Sequence, residues 1–394
     1  MPVSIERRQF LVATGATLLG VPLGGCSFGL RGSSRSAAGP VLELPPLRAS
    51  PDRVTAITVC TRPFRAQGPR LDVEQIQGKT VVHNYGHGGS GWSLSWGSGE
   101  IAVTKAMATG EREVAVIGCG AIGLTTALLL QRAGAGVTIY TRELPPDTRS
   151  ALATGVFTPD SRICFEQYAT PDFRQLWEVM ARRSFATYQS FLGLPGTPVE
   201  FIDSYFVSDT AEPTRRSLPD DDPRPRFAEL QRELLGDLLP RTQLYAPGTH
   251  PFGARHVRGG AQLMFNLAAY QRMLMSDFAE RGGKIRIDEF HTPADFARVR
   301  EKVLVNATGY GARALLGDQS LVPVRGQLAR MIPQPDIHYG LIYRGVAFVP
   351  RRDGLVFQVI GDSDYYGFDD ASTVPDRPEA ELAVQRIAGL FNAT

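Results

Sequence analysis

Two hydrophobic rhythms alternate along this chain. Val114 to Ile117 is a short, wholly apolar run and predicts a buried strand, as does Val137 to Tyr140. Between them Leu124 to Arg132 continues as a helix that Gly134 stops. Val81-Val82 predicts another strand, with a helical pattern from about Trp92 through Met107. Residues 302–309 read as a buried-type strand ending in Thr308-Gly309. Apolar residues at 173, 176, 177, 180, 185, 188, 191 and 192, with Pro171 at the start, predict a packed amphipathic helix. Residues 263–281 predict a further helix closed by Gly282-Gly283, and residues 379–391 a last one. Strand-like runs at 199–207, 321–331, 339–349 and 355–361 suggest an antiparallel sheet. Residues 219–226 read as a solvated, charged, Pro-rich loop. No internal repeat or heptad pattern is present.

Composition narrows the class. The 394 residues carry 42 basic and 40 acidic side chains, a net charge of +2, which argues against a nucleic-acid binder working through a broad basic face. The length is enough for a large core without metal or disulfide staples. Of the four cysteines, Cys26, Cys60, Cys119 and Cys164, none forms a CxxC pair, and no Cys/His cluster has metal spacing, so no metal site is expected. The 41 glycines point to tight turns and close backbone approaches.

The start of the chain reads as a targeting segment. Arg7-Arg8 precedes a charge-free run of 16 residues from Phe10 to Gly25 that carries Pro22, too short for a membrane-spanning helix. Arg7-Arg8-Gln-Phe-Leu resembles a twin-arginine export signal, with Glu6 where Ser or Thr is usual. Leu23-Gly24-Gly25-Cys26 resembles a lipoprotein box, which would make Cys26 a lipidated first residue; cleavage near Ala37-Ala38 is the alternative. The expectation is a signal peptide over 1–26, a flexible tether over 27–50, and a periplasmic or cell-surface protein held to the membrane only through a lipid anchor.

Two glycine-rich turns carry the chemistry. Gly118-Cys119-Gly120-Ala121-Ile122-Gly123 sits between a strand and a helix, the context a dinucleotide fingerprint requires. Its first glycine permits the tight turn, its second lets backbone approach a pyrophosphate, and its third lets helix and strand pack closely. The helix start, at Ala121 and Ile122, offers partial positive charge to the phosphates. Glu143, 20 positions after Gly123, stands where an acidic residue would meet the ribose; Arg142 precedes it, and the sequence leaves open which of the two does so. Upstream, His83-Asn84-Tyr85-Gly86-His87-Gly88-Gly89-Ser90-Gly91-Trp92 has four glycines in six residues and opens onto a helix. Backbone N–H groups there can form a concave surface against a planar ring, with the helix dipole stabilising negative charge on it.

These residues resemble the D-amino-acid oxidase family. His83 to Trp92, with Trp96-Gly97, resembles its flavin-contacting signature, and Arg62-Pro63-Phe64-Arg65 its substrate-carboxylate segment. Residues 118–123, Ala153-Thr154-Gly155-Val156, Val305 to Gly309 and Arg325-Gly326-Gln327 match as well. The order departs from the family. There the fingerprint opens the chain and the HNYGHGG piece closes it, so this chain is expected to be circularly permuted, with Thr394 near residues 50–56.

The resemblance implies an α/β plus α+β fold. A Rossmann-like, three-layer ββα FAD-binding domain (63–159 with 256–316) would join an antiparallel-sheet substrate domain (51–62 with 160–255 and 317–394). It implies FAD contacts at Gly88, Gly89, Gly91, Trp92, Ser93, Gly118, Gly120, Ala121, Ile122, Gly123, Arg142, Glu143, Arg149, Ser150, Gly155, Val156 and Thr308. Phe290 falls on the adenine side, with a core role the equal alternative. Arg62 would fork the substrate carboxylate, the Gly89 carbonyl would meet the amine, and Tyr343 would line the site, while Ala347 takes the place of a second tyrosine. Hydride would pass from Cα of a D-amino acid to the flavin without a general base, and O2 or another acceptor would take the electrons. Two alternatives stand beside this. One is a related amine or imino-acid oxidoreductase, acting on glycine- or sarcosine-like substrates and passing electrons to a quinone. The other is a non-enzymatic flavin-binding surface lipoprotein. Oligomeric state is not legible.

Overall fold

The computed structural model describes residues 41–211, 218–253 and 255–391. Fourteen strands are named in chain order. They are β1 (Val54–Arg65), β2 (Val73–Ile76), β3 (Lys79–His83), β4 (Glu113–Ile117), β5 (Gly136–Thr141), β6 (Val199–Ser208), β7 (Gln243–Tyr245), β8 (His256–Phe265), β9 (Lys284–Ile287), β10 (Val303–Asn306), β11 (Leu321–Met331), β12 (Tyr339–Tyr343), β13 (Val346–Arg351) and β14 (Gly354–Val359). The helices are α1 (Gly91–Met107), α2 (Ala121–Arg132), α3 (Pro171–Gln189), the single turn α4 (Gln231–Leu234), α5 (Leu267–Glu280), the single turn α6 (Ala312–Leu315) and α7 (Arg377–Ala388).

Six strands form one sheet in the order β2-β3-β10-β4-β5-β9, parallel except for β2 at the edge. Buried on both faces, its central strands are continuous apolar runs, as parallel strands must be. One face packs against α1, α2 and α5 through Val116, Leu124, Leu128 and Leu274. The other packs against a 3-10 turn, Pro293–Arg298, through Ala115, Leu304 and Phe296. Among the described residues that face carries no second strand layer, so the three-layer expectation reduces to sheet, helices and this turn.

Eight strands form the second sheet, β1-β11-β14-β13-β12-β6-β8-β7. It is antiparallel except at β6–β12, which run parallel. Three expectations are corrected here. The 339–349 run is two strands, broken at Arg344 (φ 44°) and Gly345 (φ 68°), a hairpin turn with both central residues at positive φ. The helix expected from 263 starts at Leu267, because Leu263 to Phe265 finish β8. And β8, assigned from the sequence to the FAD-binding part, pairs with β6 in the second sheet; sheet membership depends on long-range pairing that local pattern does not encode.

The expected tether also ends earlier. Residues 41–50 are docked: Leu42 N–H donates to the Thr249 carbonyl at 2.7 Å, and Tyr339 Oη donates to the Pro45 carbonyl at 2.6 Å. Arg48 and Gln334 exchange two hydrogen bonds, and Leu47 is buried beside Tyr339 and Ile337. Residues 27–40, expected as the rest of a tether, residues 1–26, expected as a signal peptide, and Thr394 lie outside the described residues. The described C-terminal end, Leu390 and Phe391, packs in the same cluster as Leu42, Leu44 and Val54, and α7 lies against the 3-10 turn Pro51–Arg53. Cys60, Cys119 and Cys164 are buried free thiols.

Candidate active site

A cleft of about 920 Å³ runs between the two sheets. Two helices open into it. α2 begins where Gly118 turns at φ 106° out of β4; a Cβ there would meet the Ala307 carbonyl at 2.7 Å, and one on Gly123 would meet the Gly118 carbonyl at 2.0 Å. Those two positions accept only glycine, which is why helix and strand approach so closely. α1 begins at Gly91, and neither α1 nor α2 has a side-chain cap. Ser150 fastens both starts: its Oγ accepts from the Ala121 N–H at 3.0 Å, and its carbonyl accepts from the Trp92 indole N–H at 2.8 Å. Apart from the Ala121 N–H taken by Ser150, the two N-termini have no side-chain cap among the described residues and leave amide donors and two positive dipole ends for a negatively charged group.

Between these helix starts the wall is bare backbone. Gly91 and Gly309 line the cleft, and a Cβ on either would meet no described residue within 4 Å. Gly88, Gly89, Gly120, Gly155 and Val156 line it too. The Gly88–Gly89 loop is fixed by two bonds, Gly88 N–H to the Pro63 carbonyl and Gly89 N–H to the Ser161 carbonyl, both 2.8 Å. At the other end Arg142 and Glu143 line the cleft tied to each other at 2.7 Å, and Arg142 also reaches Glu289 at 3.2 Å. Phe290 lines that end edge-on to Tyr140, with the Arg298 guanidinium 5.2 Å from its ring centre. Arg149 sits against the Tyr310 ring, and Thr308 Oγ1 donates to Asn306 Oδ1 at 2.8 Å.

Arg62 lines the cleft beside the Gly88–Gly89 loop. Its guanidinium lies over Gly326, where a Cβ would come within 2.3 Å of Nη2. Nη1 donates to the Arg325 carbonyl at 3.0 Å, its one hydrogen bond among the described residues, and no described carboxylate lies within 4.0 Å of the group. The Arg325 backbone is itself braced. Arg325 Nη1 donates to Glu379 at 2.7 Å and Nη2 to Gln327 Oε1 at 2.9 Å, while Gln327 Nε2 donates to the Asp376 carbonyl at 2.6 Å. This ties the start of α7 to the strand that holds Arg62.

Three expected site residues fall elsewhere. Tyr343 does not line the cleft. Strand side chains alternate between faces, and it is Ile342, opposite Ala347 across β12–β13, that faces the cleft. Tyr343 stands on the far face, its hydroxyl donating to Asp209 at 3.0 Å and accepting from Arg255 Nε at 3.3 Å. Ser93 Oγ is occupied by the Thr158 N–H at 2.8 Å, and Gly123 acts only through helix packing. Trp92 lines the cleft at the helix start, but its ring is buried against Tyr270. Sequence reasoning missed Arg162, Ser204, Gln262 and Gln358, all of which line the cleft; each is a single polar residue in a strand or loop, with no motif around it.

Titratable groups in the cleft are mostly silent. Burial holds the His87 imidazole neutral, down to about 3, and its Nε2 finds no partner among the described residues. Burial also pushes the Cys119 thiol up to about 12. At the Arg62 end no Asp or Glu lines the cleft among the described residues. Among those residues no group of three His, Cys, Asp or Glu is placed to hold a metal ion.

Residues 113–393 match the model of the FAD dependent oxidoreductase family, known as DAO. The chain belongs to that family. Curated relatives of this flavoenzyme include a D-amino-acid oxidase of Streptomyces coelicolor, 30% identical over 71% of this chain and 77% of its own length. A D-amino-acid oxidase of Rubrobacter xylanophilus is 28% identical over 70% of this chain and 76% of its own. Among solved structures, glycine oxidase from Geobacillus kaustophilus is similar with a TM-score of 0.44 at 16% identity, over 64% of this chain and 73% of that one. The cleft suits FAD: bare glycine walls and two helix starts would hold the pyrophosphate and ring. The Arg142–Glu143 and Phe290 end would take ribose and adenine. The protein is an FAD-dependent amino-acid oxidoreductase.

Proposed function

We propose that this flavoenzyme oxidises D-amino acids. The product imino acid hydrolyses to a 2-oxo acid and ammonia, and O2 takes up two electrons and two protons to give hydrogen peroxide. FAD supplies the two-electron acceptor when bound. The observation that carries the reading is Arg62, a guanidinium without a carboxylate partner among the described residues, set next to the Gly88–Gly89 loop. A planar, permanently charged fork suits bidentate recognition of a carboxylate. The start of α1 favours negative charge growing on a group against the loop. With no acidic side chain at this end among the described residues, the substrate amine would react in its neutral form. The names of the two relatives support the D-configuration. The test is anaerobic addition of D-alanine and L-alanine to the purified yellow protein. Bleaching by the D-form alone is expected, and bleaching by the L-form alone, or by neither, rejects the proposal. Peroxide release on readmitting air separates O2 from a quinone acceptor. Arg62→Ala is expected to lower kcat/KM more than 100-fold, about 3 kcal/mol, with the flavin retained.

We infer further that the chain order is permuted relative to the family. The family match covers 113–393, yet β1 and β3, which precede it, pair with β11 and β10 inside it. A rearranged chain running 113–391 and then 51–110 should fold and bind FAD; one that does neither counts against the inference. We also read residues 1–26 as an export signal and Cys26 as a lipid-bearing first residue. The intact mass and N-terminus of the mature protein decide this, and a mature chain that retains Met1 or begins beyond Cys26 rejects it.

A further inference from the structure

Gln358 on β14 is a buried amide with one end unused. It is 4% exposed, and its cleft-side neighbours are apolar or small: Val356 on its own strand and Ala347 across from it on β13. A polar group in such a place is destabilising unless it is bonded. Its Oε1 accepts from Thr154 Oγ1 at 2.5 Å. Its Nε2 makes no hydrogen bond among the described residues, and it is not one of the buried atoms sealed off without a partner. The residue lines the cleft, so this donor looks into it.

The donor is within a short side chain's reach of Arg62. Gln358 lies one residue past Phe357, which pairs with Ala329, and Ala329 is three residues from Gly326 on the neighbouring strand. Were the pairing continued at about 3.4 Å per residue and about 4.8 Å between strands, the Cα atoms of Gln358 and Gly326 would stand about 8 Å apart. The Arg62 fork lies over Gly326. An amino acid whose carboxylate sat on that fork would need a side chain of two or three bonds to reach Gln358, in the same cleft as the small Ala347.

We propose that Gln358 is a specificity-determining residue. Its Nε2 donates to a carbonyl-type oxygen, amide or carboxylate, near the end of the substrate side chain, and this favours such substrates over aliphatic ones of the same length. The inference rests on the D-amino-acid reading above and goes beyond it in naming the side-chain class. A site built to hydrogen-bond a substrate group discriminates against an analogue that lacks it, because its own polar atom is then left unpaired.

The test uses the holoenzyme with three probes, D-asparagine, D-aspartate and D-norvaline. In the wild type, kcat/KM for D-asparagine or D-aspartate is expected to exceed that for D-norvaline at least tenfold, and the better of the two polar probes distinguishes amide from carboxylate. Gln358→Leu should keep the flavin spectrum and lower the polar-to-aliphatic ratio about tenfold or more. Gln358→Glu, which loses the donor when ionised, should lower the ratio for D-aspartate further than that for D-asparagine. A wild type that prefers D-norvaline, or a ratio unchanged within twofold in Gln358→Leu, overturns the inference and leaves the D-amino-acid reading standing. A wild type that oxidises none of the three but is bleached by D-alanine overturns the inference alone, and one that D-alanine also fails to bleach overturns the D-amino-acid reading with it.

Discussion

Gly326→Ala isolates the placement of the Arg62 fork from its charge. The added methyl would lie 2.3 Å from Nη2, 2.5 Å from Nη1 and 2.6 Å from Cζ of Arg62. Ordinary carbon contacts begin at about 3.5 Å, so the fork must withdraw by about 1 Å. The arginine side chain is flexible and half-buried, so the fold should lose no more than about 1 kcal/mol. The bond to the Arg325 carbonyl, 3.0 Å long, does not survive that withdrawal. A misplacement of about 1 Å in a substrate-positioning group costs on the order of 100-fold in rate, about 2.7 kcal/mol. The assay is steady-state kcat/KM with D-alanine, together with titration of acetate followed through the flavin absorbance. Both should weaken together while the thermal midpoint stays within a few degrees. If acetate binding and kcat/KM stay within twofold of the wild type in a folded, yellow protein, Arg62 does not hold the carboxylate where this geometry puts it.

Three further substitutions probe the frame around the site. Burial pushes Asp160 up to about 6, from an ordinary 3.8, while its Oδ2 accepts from the Gln231 N–H at 2.9 Å. The folded protein therefore holds a proton that the unfolded chain has released, and stability from this group falls as pH rises from about 4 to 6. Asp160→Asn keeps the acceptor without the charge, so its thermal midpoint should gain on the wild type across that window, by up to about 3 kcal/mol at pH 7; a constant difference argues against the shift. Glu379 and Arg325 are each only 10% exposed where they pair, so Glu379→Ala leaves a buried cation under-compensated. A loss of about 3 kcal/mol by urea unfolding is expected, together with a raised KM, and no change in either would mean the brace does not reach Arg62. Leu47→Ala removes a side chain 5% exposed in the docked N-terminal segment and should cost about 2–3 kcal/mol. A change under about 0.5 kcal/mol would mean that segment does not hold in solution.

The glycine turns were legible because their chemistry is local. Gly118 needs positive φ and Gly123 must admit a carbonyl at contact, and both demands leave a glycine at fixed spacing beside a strand. Arg62 was legible through the residues that follow it in sequence. Tyr343 was not, because a one-residue offset in a strand exchanges faces, and no local pattern says which face meets the cleft. The ownership of β8 and the docking of residues 41–50 depend on surfaces made by distant parts of the chain, Thr249, Gln334 and Tyr339 among them. Gln358 sits in the apolar run Leu-Val-Phe-Gln-Val-Ile, where a lone amide gives no hint that one of its ends is idle.

Ser150 has a wider consequence. Because one residue grips the mouths of α1 and α2 at once, through hydroxyl and carbonyl, neither mouth can shift without dragging its twin. A dinucleotide that spans both would find a receptor already hinged shut at its middle. A half-sized mimic, occupying one mouth, would use only half of what that prebuilt clasp offers.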